Sequence, residues 1–292
     1  MQLKMSVAVT ACSNRLRKPA SVFLFLSSLL LIAPSLADAE EGSVSLPMRD
    51  RLTVEPYAGT TFAVGGTVLR EFSEVLTQSA NVGGVPFSTA LGFEVRERDF
   101  SDVFETPQEI GVQLNYGVSD LSELFGGVSY MRAAGKSFDA LLFTFTGTLG
   151  GVPVAVGSTL FGEFEDYQEF AANAGFRRFL DLDSGFHPFV GASIGARKVS
   201  AIDLNFRHSS NGVVIDDVGF YKPSLAYMVG LQAGFRYDVS DAIALGVSTG
   251  VNYRSQLRQD DSEVSGFREF HNGNNDGDII DIPVSVRLTA KF

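Results

Sequence analysis

The last fourteen residues, "IIDIPVSVRLTAKF", alternate strictly: Ile280, Ile282, Val284, Val286, Leu288, Ala290 and Phe292 against Asp281, Pro283, Ser285, Arg287, Thr289 and Lys291. A period of two belongs to a β-strand with one apolar and one polar face. Seven other segments behave the same way, over roughly 52–62, 109–118, 123–133, 168–180, 186–199, 224–238 and 241–256. In "AIALGVSTGVNYR", Ile243, Leu245, Val247, Val251 and Tyr253 oppose Ala244, Gly246, Ser248, Gly250, Asn252 and Arg254. The apolar face is bulky throughout; the opposite face is small or charged.

A soluble sandwich needs the reverse, with its bulky face inside. Small and charged residues suit a narrow barrel interior, and bulky residues suit lipid. Only a closed sheet leaves no backbone edge unpaired in hydrocarbon. The connections alternate long (63–108, 134–167, 200–223, 257–278) and short ("SDLS", "DLDSG", "VSD"). That pattern predicts extracellular loops and periplasmic turns, with an even strand count returning both ends to the periplasm. The expected fold is all-β: an eight-stranded antiparallel up-and-down transmembrane barrel with long extracellular hairpin loops. Ten or twelve strands follow if loop stretches such as "ALLFTFTG" also cross.

On these features the chain resembles the small OmpA-like outer-membrane barrels of Gram-negative bacteria. In that class a C-terminal aromatic preceded by alternating apolar residues is the signal read by the barrel-assembly machinery. Phe292, with Ala290, Leu288, Val286 and Val284, matches it. The resemblance implies the assembly machinery, outer-membrane lipid and lipopolysaccharide as partners, and a monomer.

The N-terminus agrees with export. Lys4, Arg15, Arg17 and Lys18 precede the apolar run "VFLFLSSLLLIAPSLA", and Ala37-Asp38-Ala39 reads as a cleavage site, so residues 1–39 are expected to be a cleaved signal peptide and 40–292 one barrel domain. The single cysteine, Cys12, leaves with the signal, and no disulfide is expected. Residues 1–39 hold four of the 23 basic and one of the 34 acidic residues, so the remainder carries a formal charge of −14. That balance argues against nucleic acid as a partner.

Strand parity points Glu55, Glu109, Glu169, Asp238 and Asp281 inward with Arg177, Arg197, Arg236, Arg254, Arg287 and Lys291. Unpaired charges in a narrow lumen cost several kcal/mol each, so they are expected to pair. A gated path for small solutes is the alternative. Gly83-Gly84-Val85-Pro86 recurs as Gly150-Gly151-Val152-Pro153, which marks hairpin tips in the first two loops. Pro56, Pro188, Pro223 and Pro283 each remove a ladder donor and are expected near strand ends.

Two loop stretches could carry chemistry. "FRHSSNG" (206–212) is similar to the His-x-Ser-Asn signature of the lipid A 3-O-deacylase family, themselves outer-membrane barrels. That resemblance implies His208 as general base, Ser210 as nucleophile and Asn211 as an adjacent polar residue. The family's later acidic residue falls here on Lys222, Asp216 and Asp217 come too early, and the motif does not lie near the C-terminal strand as the family's does, so a polar turn is the simpler reading. In "NGNNDGDIID", Asn272, Asn274 and Asp276 follow the spacing of a calcium loop, but Pro283 stands where its bidentate glutamate belongs. No motif calls for a cofactor. The expectation is a non-catalytic barrel displaying acidic loops toward a partner, host surface or the envelope, with a deacylase-like hydrolase or narrow channel as alternatives.

Overall fold

A computed structural model describes residues 6–8, 48–82, 85–149, 152–180, 182, 185–208, 214–260 and 277–292. Eight long strands close into a barrel: β1 (Leu52–Gly65), β2 (Gln108–Ser119), β3 (Ser122–Ala133), β4 (Tyr167–Phe179), β5 (Phe186–Val199), β6 (Ser224–Asp238), β7 (Ile243–Arg254) and β8 (Ile279–Lys291). Each pairs antiparallel with its neighbours in sequence, and β8 returns to β1 through Val286↔Ala58 and Arg287↔Tyr57. The barrel has eight strands, not ten or twelve; the additional described strands form two separate sheets, one of hairpins and one a two-stranded pair of Thr67–Leu69 with Arg98–Asp99.

Parity decides what each face meets. Ile110, Leu114, Val128, Ile194, Leu231 and Val286 point outward and are exposed, whereas Glu55, Arg177 and Arg197 point inward and are buried. Two prolines mark weak points of the ladder. Pro56 and Pro283 lie five residues into β1 and β8, and pairing lapses opposite each, between Arg287↔Tyr57 and Ala290↔Val54, and between Thr249↔Val284 and Asn252↔Asp281.

The long loops rise from one end of the barrel as hairpins. The first is Phe72–Val82 with Val85–Val95, the second Ser137–Leu149 with Val152–Phe164, the third Ile202–His208 with Val214–Lys222. Val82↔Val85 and Leu149↔Val152 are the last pairs below the glycine tips, which themselves lie outside the described residues. The hairpins join edge to edge, Thr89–Glu94 on Leu142–Gly147 and Leu160–Phe164 on Leu204–His208. Arg258–Gln259 extends one edge of this sheet and Ser6–Ala8 the other.

Between this sheet and the barrel lies an apolar core fed from several loops. Phe100, Val103, Phe104, Phe138, Phe164, Ile202, Phe220 and Tyr221 are buried there, several around a one-turn helix, Phe100–Val103. Phe164 sits at the middle, with ring centroids 4.8 Å from Phe220, 5.4 Å from Phe138 and 5.5 Å from Phe104. The barrel is therefore capped at the loop end by a small hydrophobic core of ordinary type.

Candidate functional site

The barrel interior is filled by two charge clusters. In the half nearer the short turns, the Arg177 guanidinium donates to Glu123 at 2.7 Å, to Gln113 at 2.9 Å and to Glu55 at 3.4 Å. Arg287 donates to Glu55 at 2.6 Å, to Gln113 at 2.7 Å and to the Ser248 hydroxyl at 2.7 Å. Thr289 donates to the second Glu55 oxygen at 3.0 Å, and Arg236 reaches Glu123 at 3.4 Å. Every strand except β5 contributes a side chain to this cluster.

β5 supplies Arg197 to the cluster nearer the loops. There Arg197 donates to Glu169 at 3.2 Å and to the Tyr167 hydroxyl oxygen at 2.8 Å, and Arg254 bridges Glu169 and Asp281. Asn252 donates to Asp281 at 3.0 Å. Tyr167 in turn donates to Glu169 while its ring packs 5.2 Å from Phe100, so one side chain joins the polar lumen to the apolar cap.

The remaining residues placed inward by parity are also accounted for. Glu109 accepts from Tyr57 at 3.1 Å, and Asp238 meets Lys291 at 2.7 Å and His187 at 3.4 Å at the rim. A cavity of about 30 Å³ lies beside that rim, lined by Met48, Glu123, His187, Arg236 and Lys291 among others. That is room for a water or two rather than for a solute.

Parity missed Glu123, which lies at the start of β3 beside the short turn and is 2% exposed. With it, the inward residues named here, all among the described ones, are six acids and six bases, which balance in formal charge. The inner face also departs from "small or charged". Phe125, Phe179, Phe189 and Tyr57 carry rings against guanidinium groups: Arg177 lies 4.7 Å from the Phe189 ring centre and 5.0 Å from Phe125, Arg236 4.3 Å from Phe179, Arg287 4.9 Å from Tyr57. Desolvated cation–π contacts contribute about 2 kcal/mol or more each. Glycines make room for two of these rings. A Cβ on Gly175 would lie 2.3 Å from the Phe125 ring, and one on Gly234 2.7 Å from Phe189.

The loop candidates fare differently. His208 ends the third hairpin's rising strand, and its Nε2 lies 2.6 Å from the hydroxyl of Ser158 on the second hairpin, opposite Leu160 in register. Ser210 and Asn211 lie outside the described residues, as do Asn272, Asn274 and Asp276. Among the described residues no group of three or more His, Cys, Asp or Glu is arranged to hold a metal ion. In the first two loops the acids gather where the chain leaves the barrel, while 75–93 and 140–162 contain no charged residue. Those loops are acidic at the base and uncharged above. At the base, partial burial and the nearby carboxylates of Asp203, Asp217 and Asp166 push the Glu165 carboxyl above the ordinary carboxylate range.

Val286 and Leu288, expected from the sequence to belong to an assembly signal, point outward from β8, and Phe292 is exposed, its backbone N–H bonded to the Leu52 carbonyl at 3.2 Å. No protein-family model matches the chain, and no curated protein matches it in sequence. Among solved structures, the chain is similar to Neisserial surface protein A, with 13% identity, a TM-score of 0.40, and 86% of this chain and 100% of that one covered. It is also similar to the outer membrane protein OprG of Pseudomonas aeruginosa (9% identity, TM-score 0.38, 86% and 99% covered). A third likeness is to Ail, the attachment invasion locus protein of Yersinia pestis (10%, 0.31, 83% and 97%). At such scores the likeness stops at general outline.

Proposed function

We propose that the chain is an integral outer-membrane β-barrel acting as a non-catalytic scaffold, whose work is to hold its joined loop hairpins above the membrane toward a partner, a host surface or the envelope. One observation carries this reading: a closed barrel with bulky apolar residues outside and an ion-pair filling inside. Apolar residues gain nothing from facing water, and a closed sheet satisfies every backbone group in lipid. The filled lumen and the apolar cap above it favour a scaffold over a solute path. Export by the leader, with folding by the barrel-assembly machinery through Phe292, Leu288 and Val286, belongs to the same proposal.

The test uses the absence of cysteine after residue 12. Cells carrying Val128→Cys, on the outward face of β3, or Thr148→Cys, on the second hairpin, are treated with a membrane-impermeant maleimide. Labelling of Thr148→Cys on intact cells, with Val128→Cys silent until the membrane is dissolved, is the expected result. Equal labelling of both in a soluble fraction would sink the proposal.

The 2.6 Å contact between His208 and Ser158 favours one second reading, an acyl hydrolase with His208 as base. In the structure its partner is Ser158, with Ser210 outside the described residues. A mass spectrum of lipid A from expressing cells, beside His208→Ala at equal level, decides it: a missing acyl chain that the substitution restores would favour the hydrolase, and identical spectra would remove it.

A further inference from the structure

The first hairpin's outer strand, Phe72–Val82, is bonded on one side to Val85–Val95 along its whole length, without a register shift. Along its other side, among the described residues, lie only Ser6–Ala8, antiparallel at Ser6↔Thr77, Val7↔Leu76 and Ala8↔Val75. Exposed sheet edges in native proteins are guarded by lysine, proline, bulges or inward charges, because a bare edge recruits another strand. This strand has no proline, lysine or arginine, and Glu74 is its one charge. The opposite edge of the same sheet differs: it carries Lys222, which pairs with Asp260 at 3.3 Å, and is covered by Arg258–Gln259.

The edge thus accepts a strand, and the segment that occupies it belongs to residues 1–39, read as a leader lost on export. We infer that in the exported protein this edge pairs with the same strand of a second copy, held in an apposed membrane. Two arguments select that occupant. Apart from the leader the chain carries a formal charge of −14, so copies repel almost everywhere, but 75–93 and 140–162 offer a charge-free approach. The second argument is direction. The seated segment runs antiparallel, and Phe72–Val82 leads away from the barrel. A copy in the same membrane presents this strand in the same sense, whereas a copy in a facing membrane presents it reversed. Antiparallel pairing about a two-fold axis is then self-complementary. One strand pair buries little area and is weak, but many copies on two surfaces bind multivalently. The expected phenotype is cell-to-cell aggregation rather than a stable dimer in detergent.

This inference rests on the outer-membrane reading, and the experiment separates the two. Two cell populations express differently tagged copies bearing one cysteine at Val75, Leu76, Thr77, Gln78 or Ser79, with Thr148→Cys as control; they are mixed and mildly oxidised. About a two-fold axis only one residue opposes its own copy, and a disulfide needs Cβ atoms about 3.5–4.5 Å apart. Mixed-tag dimers with a single maximum in the series and none at Thr148, together with dispersal of the aggregates by Thr77→Lys, are expected. Impermeant-maleimide labelling at Thr77→Cys without any dimer would overturn the pairing and leave the surface reading standing. Absence of labelling at both Thr77→Cys and Thr148→Cys would overturn both. Dimers confined to one tag would place the pairing within a single membrane, and cross-links to another protein would replace the second copy with a foreign strand; either outcome defeats the inference.

Discussion

Arg177 in the barrel and Phe164 in the cap are about equally hidden, at 1% and 2% exposure, yet their surroundings are opposite in chemistry. Arg177 is held by two glutamates, a glutamine and two aromatic faces, while Phe164 is held by rings and aliphatic groups. The reason lies outside each region. In the proposed membrane setting the barrel wall meets lipid, so its bulky side chains are stable facing outward, and the narrow interior takes whatever fits and satisfies its own hydrogen bonds. The cap stands beyond the apolar belt, where water surrounds it, and burial of apolar area is what holds it together.

The largest expected effect tests the lumen. Glu55→Ala removes the shared acceptor of Arg177, Arg287 and Thr289, leaving buried charge uncompensated at a cost of about 3–5 kcal/mol. Urea unfolding in lipid vesicles, followed by the heat-sensitive migration of the barrel on gels, should show the whole barrel destabilised. A change under 1 kcal/mol would mean that water already solvates this cluster.

Phe164→Ala breaks the other side of the comparison. Truncating a buried phenylalanine costs about 3–5 kcal/mol, but here the loss falls on the cap. Limited proteolysis should cut the hairpins of the variant quickly while the strands β1 to β8 survive as a protected set. If the barrel unfolded together with the loops, the two regions would be one cooperative unit.

The two regions also differed in how far the amino-acid order disclosed them. β6, β7 and β8 alternate without interruption, so inward charges could be picked by counting every second residue. Glu123 escaped because it abuts a short turn and because Phe125 and Met131, bulky but inward, blur the parity of β3. The cap could not be read at all. Phe100, Phe104, Phe138, Phe164 and Phe220 come from three separate loops with no shared period, and only the joining of the hairpins brings them together. Ser158 and His208 are 50 residues apart and meet through the same joining, whereas the local motif pointed to Ser210.

That cross-hairpin contact gives a smaller effect. Ser158→Ala removes one half-buried hydrogen bond and should cost about 1 kcal/mol, read as faster proteolysis of the second and third hairpins with the barrel unchanged. A much larger loss would make the contact a main tie of the loop sheet rather than an accessory one.

The smallest effect concerns the acidic base of the cap. Glu165 is mostly exposed, and its carboxyl sits above the ordinary range because of partial burial and the like charges of Asp203, Asp217 and Asp166. A raised pKa means the folded loop binds the proton more readily than the unfolded one, so between the two values stability falls as pH rises. The cap is therefore expected to be least stable above the carboxylate range and to gain as pH drops through the raised Glu165 value. Glu165→Gln removes that charge at neutral pH and should slow hairpin proteolysis there slightly, with the difference from the parent shrinking as pH falls through the raised value and vanishing only below 4.5, the ordinary glutamate value. The barrel supplies the contrast within the same experiment. Glu165→Gln leaves every lumen contact in place, so the heat-sensitive migration of the barrel should not change while hairpin proteolysis does. If acid and Glu165→Gln both left hairpin proteolysis unmoved, solvent would already screen these carboxylates from one another, and the base of the cap would answer to its rings alone.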